Sequence, residues 1–146
     1  AAEFHALDFW IGRWRVETPE GDFAGDSHVE PVLSGCALLE HWRGLFMPIN
    51  QVREGLGVHR YDARTQQWRQ AWTDETPGTV DTVGRQEGKA IVYERTSPSG
   101  VRSRMSLRPL DDGRVEQKGE RWDEATGAWQ TTFHLLYSRI EEGSHP

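Results

Sequence analysis

Gln67-Trp68-Arg69-Gln70-Ala71-Trp72-Thr73-Asp74 is the stretch that decides how this chain folds. Trp68, Gln70, Trp72 and Asp74 fall on one face, and Gln67, Arg69, Ala71 and Thr73 on the other. A period of two marks an extended strand, because successive side chains point to opposite sides. Turn chemistry bounds the stretch, with Asp62-Ala63-Arg64-Thr65 before it and Thr76-Pro77-Gly78 after it. The same pattern repeats outward in both directions. Strands are expected near 13–18, 24–33, 36–43, 52–62, 67–75, 79–86, 89–96, 100–109, 114–123 and 128–139. Pro19-Glu20-Gly21-Asp22, Ser34-Gly35, Glu87-Gly88, Ser97-Pro98-Ser99-Gly100 and Asp111-Asp112-Gly113 separate them. About ten short strands at such spacing predict an all-β sandwich or barrel. No segment of helical period is long enough for a βαβ crossover. Pro31, late in its strand, has no backbone N–H and predicts an edge or a bulge there.

Two segments echo one another. Tyr61-Asp62-Ala63-Arg64-Thr65-Gln66-Gln67-Trp68 matches Trp122-Asp123-Glu124-Ala125-Thr126-Gly127-Ala128-Trp129 in the pattern aromatic-Asp-x-x-Thr-x-x-Trp. Each reads as a hairpin whose Asp caps the turn amides and whose aromatic residues pack across the strands. A sugar-site loop would use the same residue types, but the turn accounts for them. Before the first strand, Phe4, Leu7, Phe9, Trp10 and Ile11 suit one apolar helical turn, ended by Gly12.

With 146 residues, the chain reads as a single soluble domain over 1–146. Apolar residues are 36% of it, yet seven are Trp, so the core is built from a few large rings. The net charge of -6 argues against a nucleic-acid partner and against docking on an anionic membrane. No apolar run has the ~20 residues of a membrane helix. Cys36 is the one cysteine, so no internal disulfide is expected. The compartment reads as cytoplasmic, or as periplasmic or secreted if Ala1 follows a cleaved signal peptide.

The aromatic face of each strand should be the interior. Cys36, Leu38, Glu40 and Trp42 share one such face, and Trp129, Thr131, Phe133, Leu135, Tyr137 and Arg139 another. Glu40, Gln70 and Asp74 therefore go inside with Trp42 and Trp72. Arg102, Arg104, Ser106 and Arg108 share a face, as do Glu116, Lys118, Glu120 and Trp122, and these read either as a polar cavity wall or as a solvated stripe. An unpaired buried carboxylate is costly, so such groups must pair, bind water or meet a ligand. His41, His59 and His134 fall on faces assigned outward.

Gly12-Arg13-Trp14 at the start of the first strand and Tyr137-Ser138-Arg139 at the end of the last resemble the calycin signature. The likeness implies an Arg from the last strand laid on the indole of the first, a cation–π seal at the closed end of the barrel. Leu7 to Trp14, Gly35 to Trp42, Tyr61-Asp62 through Asp74 and the Tyr137-Ser138-Arg139 end are similar, together, to a widespread bacterial family of lipocalin-like proteins with no agreed activity. That resemblance implies an antiparallel up-and-down barrel of about ten strands with a short N-terminal helical turn and a hydrophobic or amphipathic cavity.

No Walker loop, GxGxxG, HExxH, CxxC or GxSxG occurs. No metal and no cofactor is expected; haem would need an inward His. The expected function is binding of a small, partly apolar molecule, stacked by Trp42, Trp72 and Phe133 and oriented by Glu40, Gln70, Asp74, Arg104, Glu120 and Tyr137. The alternative is a cofactor-free acid/base enzyme of isomerase, cyclase, hydratase or lyase type, with Glu40 or Asp74 carrying the proton. A second alternative is a filled barrel serving as a protein-interaction scaffold. Leu45-Phe46-Met47-Pro48-Ile49-Asn50 reads as a lid at the mouth or as a homodimer contact.

Overall fold

The computed structural model describes residues 2–46, 51–76 and 78–140. Two 3-10 turns, Ala2–His5 and Asp8–Trp10, precede ten strands. These are β1 (Gly12–Glu17), β2 (Phe23–Val32), β3 (Ala37–Phe46), β4 (Gln51–Asp62), β5 (Gln67–Asp74), β6 (Thr79–Glu87), β7 (Ala90–Thr96), β8 (Arg102–Pro109), β9 (Val115–Asp123) and β10 (Ala128–Arg139). Each strand pairs antiparallel with the next, and β10 pairs back onto β1, so the sheet closes into a barrel. The expected all-β up-and-down architecture is the observed one, with each strand within a few residues of its expected bounds. Pro31 pairs only with Leu38 of β3, because the β1 pairing ends at Gly12 with Val29; the strand is locally an edge there.

The echoed hairpins are the same turn built twice. Asp62 Oδ1 accepts from the Arg64 amide at 3.0 Å, and Asp123 Oδ1 accepts from the Ala125 amide at 2.9 Å. Gln66 and Gly127, at matching positions, both have left-handed φ, 57° and 67°. The turns lie at opposite ends of the barrel, however, and their rings face opposite ways. Tyr61 and Trp68 point inward at the closed end, where Phe4 meets Tyr61 edge-on. Trp122 and Trp129 pair on the outer face, beneath the guanidiniums of Arg102 and Arg104.

A β-bulge explains the second orientation. Thr131 pairs with Glu120 and Phe133 with Gly119, leaving Thr132 as the extra residue of β10. One extra residue reverses the alternation. Phe133, Leu135 and Tyr137 therefore point inward, and Trp129 and Thr131 point outward, correcting the expectation that all five share the interior. Outside the barrel with them go Arg102, Arg104, Glu116, Lys118 and Glu120, so the acids and arginines meet as neighbours across β8 and β9 rather than across a cavity.

The packed half of the barrel is the end where the chain starts and finishes. Leu7 and Trp10 plug it, over Trp14, Val29, Leu38, Trp68, Ile91, Leu107, Val115 and Tyr137. Burying Leu7 alone is worth about 2 kcal/mol. Arg139 stacks on the Trp14 indole, its Cζ 4.3 Å from the ring centroid, and donates to the carbonyls of Ile11 and Phe9 at 2.8 and 3.0 Å. The seal that the resemblance implied is present and carries two hydrogen bonds as well.

Candidate functional site

The other half of the barrel is hollow, with a cavity of about 880 Å³. This is within the size range of small-molecule sites. The reason it stays open is written in glycine. Trp72 of β5 lies over Gly55 and Gly57 of β4, Trp42 of β3 over Gly25 and Gly44, Tyr93 of β7 over Gly84, and Phe133 of β10 over Gly119. A Cβ at any of these glycines but Gly57 would run into the ring above it, and one at Gly57 would press on the Trp72 ring at 3.1 Å. Each ring therefore lies back against its own wall rather than filling the lumen, and those of Trp42, Trp72 and Phe133 border it.

Glu40 lies on the floor, 3% exposed. Its Oε2 accepts from Ser27 Oγ at 2.7 Å and is 2.9 Å from the Tyr137 hydroxyl, which in turn is 3.1 Å from Gln117 Oε1. Gln117 donates its Nε2 to Met105 Sδ at 3.6 Å, an orientation that turns its Oε1 to Tyr137. Tyr137 has one proton and two acceptors to serve. All contacts are satisfied when Glu40 is protonated, donates to Tyr137 Oη, and leaves the phenol proton for Gln117. Electrostatics agree: burial pushes the Glu40 carboxyl up to about 7, against the opposing hydrogen bonds from Ser27 and Tyr137. Burial and the neighbouring Glu40 push the Tyr137 phenol well above its usual range.

A second buried dyad shares the barrel interior. His59 Nδ1 is 2.8 Å from the Tyr93 hydroxyl, and Tyr93 borders the cavity. His59 was expected to face outward. It alternates instead with Gly55, Gly57 and Tyr61, all inward, and is fully buried. Its kinship with Tyr61, already paired with Trp68, was the available signal. Burial drives its pKa down to about 3, so the ring is neutral. His59 Nε2 and Trp10 Nε1 have no hydrogen-bond partner among the described residues. Their rings meet edge-on at 5.0 Å. The imidazole is thus part of the sealed floor.

The other expected site residues separate. Trp42, Gln70, Trp72, Phe133 and Tyr137 border the cavity with Glu40. Gln70 Oε1 accepts from Thr82 at 2.9 Å. Arg104 and Glu120 touch only its edge: their side chains are on the outer face, where they pair with each other at 2.9 Å and Arg104 stacks on Trp129. Asp74 borders a second hollow, of about 700 Å³, beside Arg43 and Glu54. It accepts from Trp72 Nε1 at 2.9 Å and from the amide and hydroxyl of Thr76. Burial opposes its ionisation, but these bonds outweigh it and hold the carboxyl below its usual range. Asp74 is therefore an anchor for the Trp72 indole and poorly suited to carry a proton near neutrality. Arg95, exposed at the rim, borders the cavity and was not anticipated. Of the apolar segment expected as lid or dimer contact, Leu45 borders the cavity and Met47–Asn50 lie outside the described residues.

Among the described residues no group of three or more His, Cys, Asp or Glu is placed to hold a metal ion. No helix among the described residues is long and apolar enough to cross a membrane. The closed ten-strand antiparallel barrel is consistent with a lipocalin-like, calycin fold. No protein-family model matches the chain, and no curated protein matches it.

Proposed function

We propose that this chain is a calycin-type binding protein for a small, partly apolar molecule held in the barrel cavity. The observation that carries the reading is a cavity of about 880 Å³ walled by aromatic rings, with the Glu40–Tyr137–Gln117 chain on its floor. The rings supply burial and stacking, and the polar chain orients the ligand. Native mass spectrometry of the purified protein tests it. A stoichiometric adduct that Phe133→Arg displaces is expected; a mass equal to the bare chain, together with no binding of any small aromatic probe, sinks the reading.

One observation favours a second reading. Glu40, titrating near 7 and bonded to a phenol, has the protonation behaviour of a general acid/base. The two readings part on Glu40→Gln once a converted compound is known. Turnover falls by about 10²-fold or more if Glu40 moves a proton in the reaction, whereas only affinity changes if it merely binds.

A further inference from the structure

We infer that the cavity is a site for an organic cation, an aromatic or alicyclic amine whose ammonium group reaches Glu40. The inference rests on the small-molecule reading above and names the class of molecule. Three independent features lead to it.

The first is a carboxyl without a countercharge. Glu40 is buried, yet its polar contacts are a hydroxyl and a phenol, with no Arg, Lys or His bonded to it among the described residues. Buried carboxylates are ordinarily paired. Here the carboxyl borders the cavity, from which a ligand's charged group could approach it.

The second is the presentation of the rings. Trp42, Trp72 and Phe133 lie against glycine-bearing walls and border the lumen, whereas Tyr93, also over a glycine, is buried with its hydroxyl on His59. An aromatic face carries the negative part of the ring quadrupole and attracts a cation, Trp most strongly. Had these walls carried side chains instead of glycines, the rings would stand inward and show edges, which have the opposite sign.

The third is the hydrogen-bond chain. In the free protein a proton is shared along Glu40, Tyr137 and Gln117, because Tyr137 alone cannot serve both acceptors. An ammonium group has three donors. Once it supplies donors to Glu40 and to Gln117 Oε1, the Glu40 proton is no longer needed, and Tyr137 donates to the carboxylate. Binding therefore exchanges a proton on Glu40 for the ligand's charge.

The other charged groups near the cavity do not counter this. Arg104 and Glu120 neutralise one another, and His134 is held by Glu116 on the outer side. Asp22 and Arg95, one of each sign, border the mouth. His59, below the floor, is neutral. The chain as a whole is acidic, with net charge -6, which draws cations toward it.

The test compares three probes of nearly equal shape: 2-phenylethylamine, 2-phenylethanol and 3-phenylpropionate. Titration calorimetry of the whole chain at pH 7.5 is expected to show the amine binding at least tenfold tighter than either of the others. In buffers of different ionisation enthalpy, amine binding should release protons. Affinity for the amine should rise from pH 5.5 to 8 as Glu40 ionises, and Glu40→Gln should bring the three probes within about threefold of one another. Proton release is read on the unaltered chain, so it stands even if the variant folds poorly. Equal or tighter binding of the alcohol or the acid, or proton uptake with the amine, overturns the inference while leaving the cavity reading intact. A copurified ligand lacking a basic nitrogen does the same. No binding of any probe and no copurified ligand overturns both.

Discussion

At the scale of single residues, two buried titratable groups pull stability in opposite directions. Glu40 is raised from 4.5 to about 7 in the folded chain, so the native state holds its proton more tightly than the unfolded state does. Its favourable contribution is complete below pH 4.5 and is lost as pH rises to about 7. His59 is lowered from 6.5 to about 3, so its contribution is complete above pH 6.5 and is lost as pH falls toward 3. Between pH 4.5 and 6.5 the two slopes oppose, each approaching a tenfold change in the folding constant per pH unit. Removing one should unmask the other. In Glu40→Gln, stability relative to the parent chain should climb with pH across 4.5–7, then level off. Urea denaturation at four or five pH values reads this directly, and parallel curves for the two proteins would show that Glu40 keeps its solution pKa. Neither group's environment could be read from the strand alternation alone. Glu40 was placed inward through its alternation with Trp42, but that it lacks a cation is a matter of what β2, β9 and β10 bring to it.

At the scale of elements, the cavity depends on pairing a glycine with each inward ring. Gly57 sits opposite Trp72, Gly84 opposite Tyr93, and Gly119 opposite Phe133 in the strand registers. Such pairs let the ring cover bare backbone and leave the lumen free. Adding one methyl group at Gly55 would push the Trp72 indole off the wall, away from its bond to Asp74. Gly55→Ala should therefore weaken ligand binding at least tenfold and shift the tryptophan emission, while the melting temperature falls by only a few degrees. Unchanged affinity would mean that the indole has room to adjust in place. The strand count and turns were legible beforehand because Asp, Pro and Gly punctuate them and alternation runs between. What escaped was set by pairing across strands. The bulge at Thr132 leaves no clear mark within β10's own sequence, where Trp129, Thr131, Phe133, Leu135 and Tyr137 read as one alternating face. That run placed Trp129 inside, while Arg104 and Glu120 were offered as lumen groups by the alternation of β8 and β9 themselves, Glu120 in step with Trp122. The inward glycines were visible as residues, but their purpose appears only with the register.

For the molecule as a whole, the weak seam is where the barrel closes. β1 and β10 share four residue pairs, from Trp14 with Arg139 to Glu17 with Leu136, fewer than any other neighbouring strands. This pairing joins the two ends of the chain and so has the largest loop to close on folding. Two devices bridge it. At the closed end Arg139 clamps the Ile11 and Phe9 carbonyls and covers Trp14, whose Nε1 donates to the Trp10 carbonyl at 2.9 Å. Inside, the chain from Gln117 through Tyr137 and Glu40 to Ser27 runs from β9 and β10 to β3 and β2, spanning the same seam. The floor of the site is therefore also a staple of the fold. Arg139→Ala removes two charge-assisted hydrogen bonds and a stacking contact, and should cost about 3 kcal/mol. Arg139→Lys should recover less than half, because an ammonium cannot fork two carbonyls and stack as well. Hydrogen exchange locates the damage. Amides of β1 and β10 should lose protection in Arg139→Ala while those of β4 and β5, on the far wall, keep theirs; a uniform loss would place the weak point elsewhere. A ligand bonded to Glu40 strengthens the inner staple and should restore part of the protection lost from the outer one, since both hold the same pair of strands.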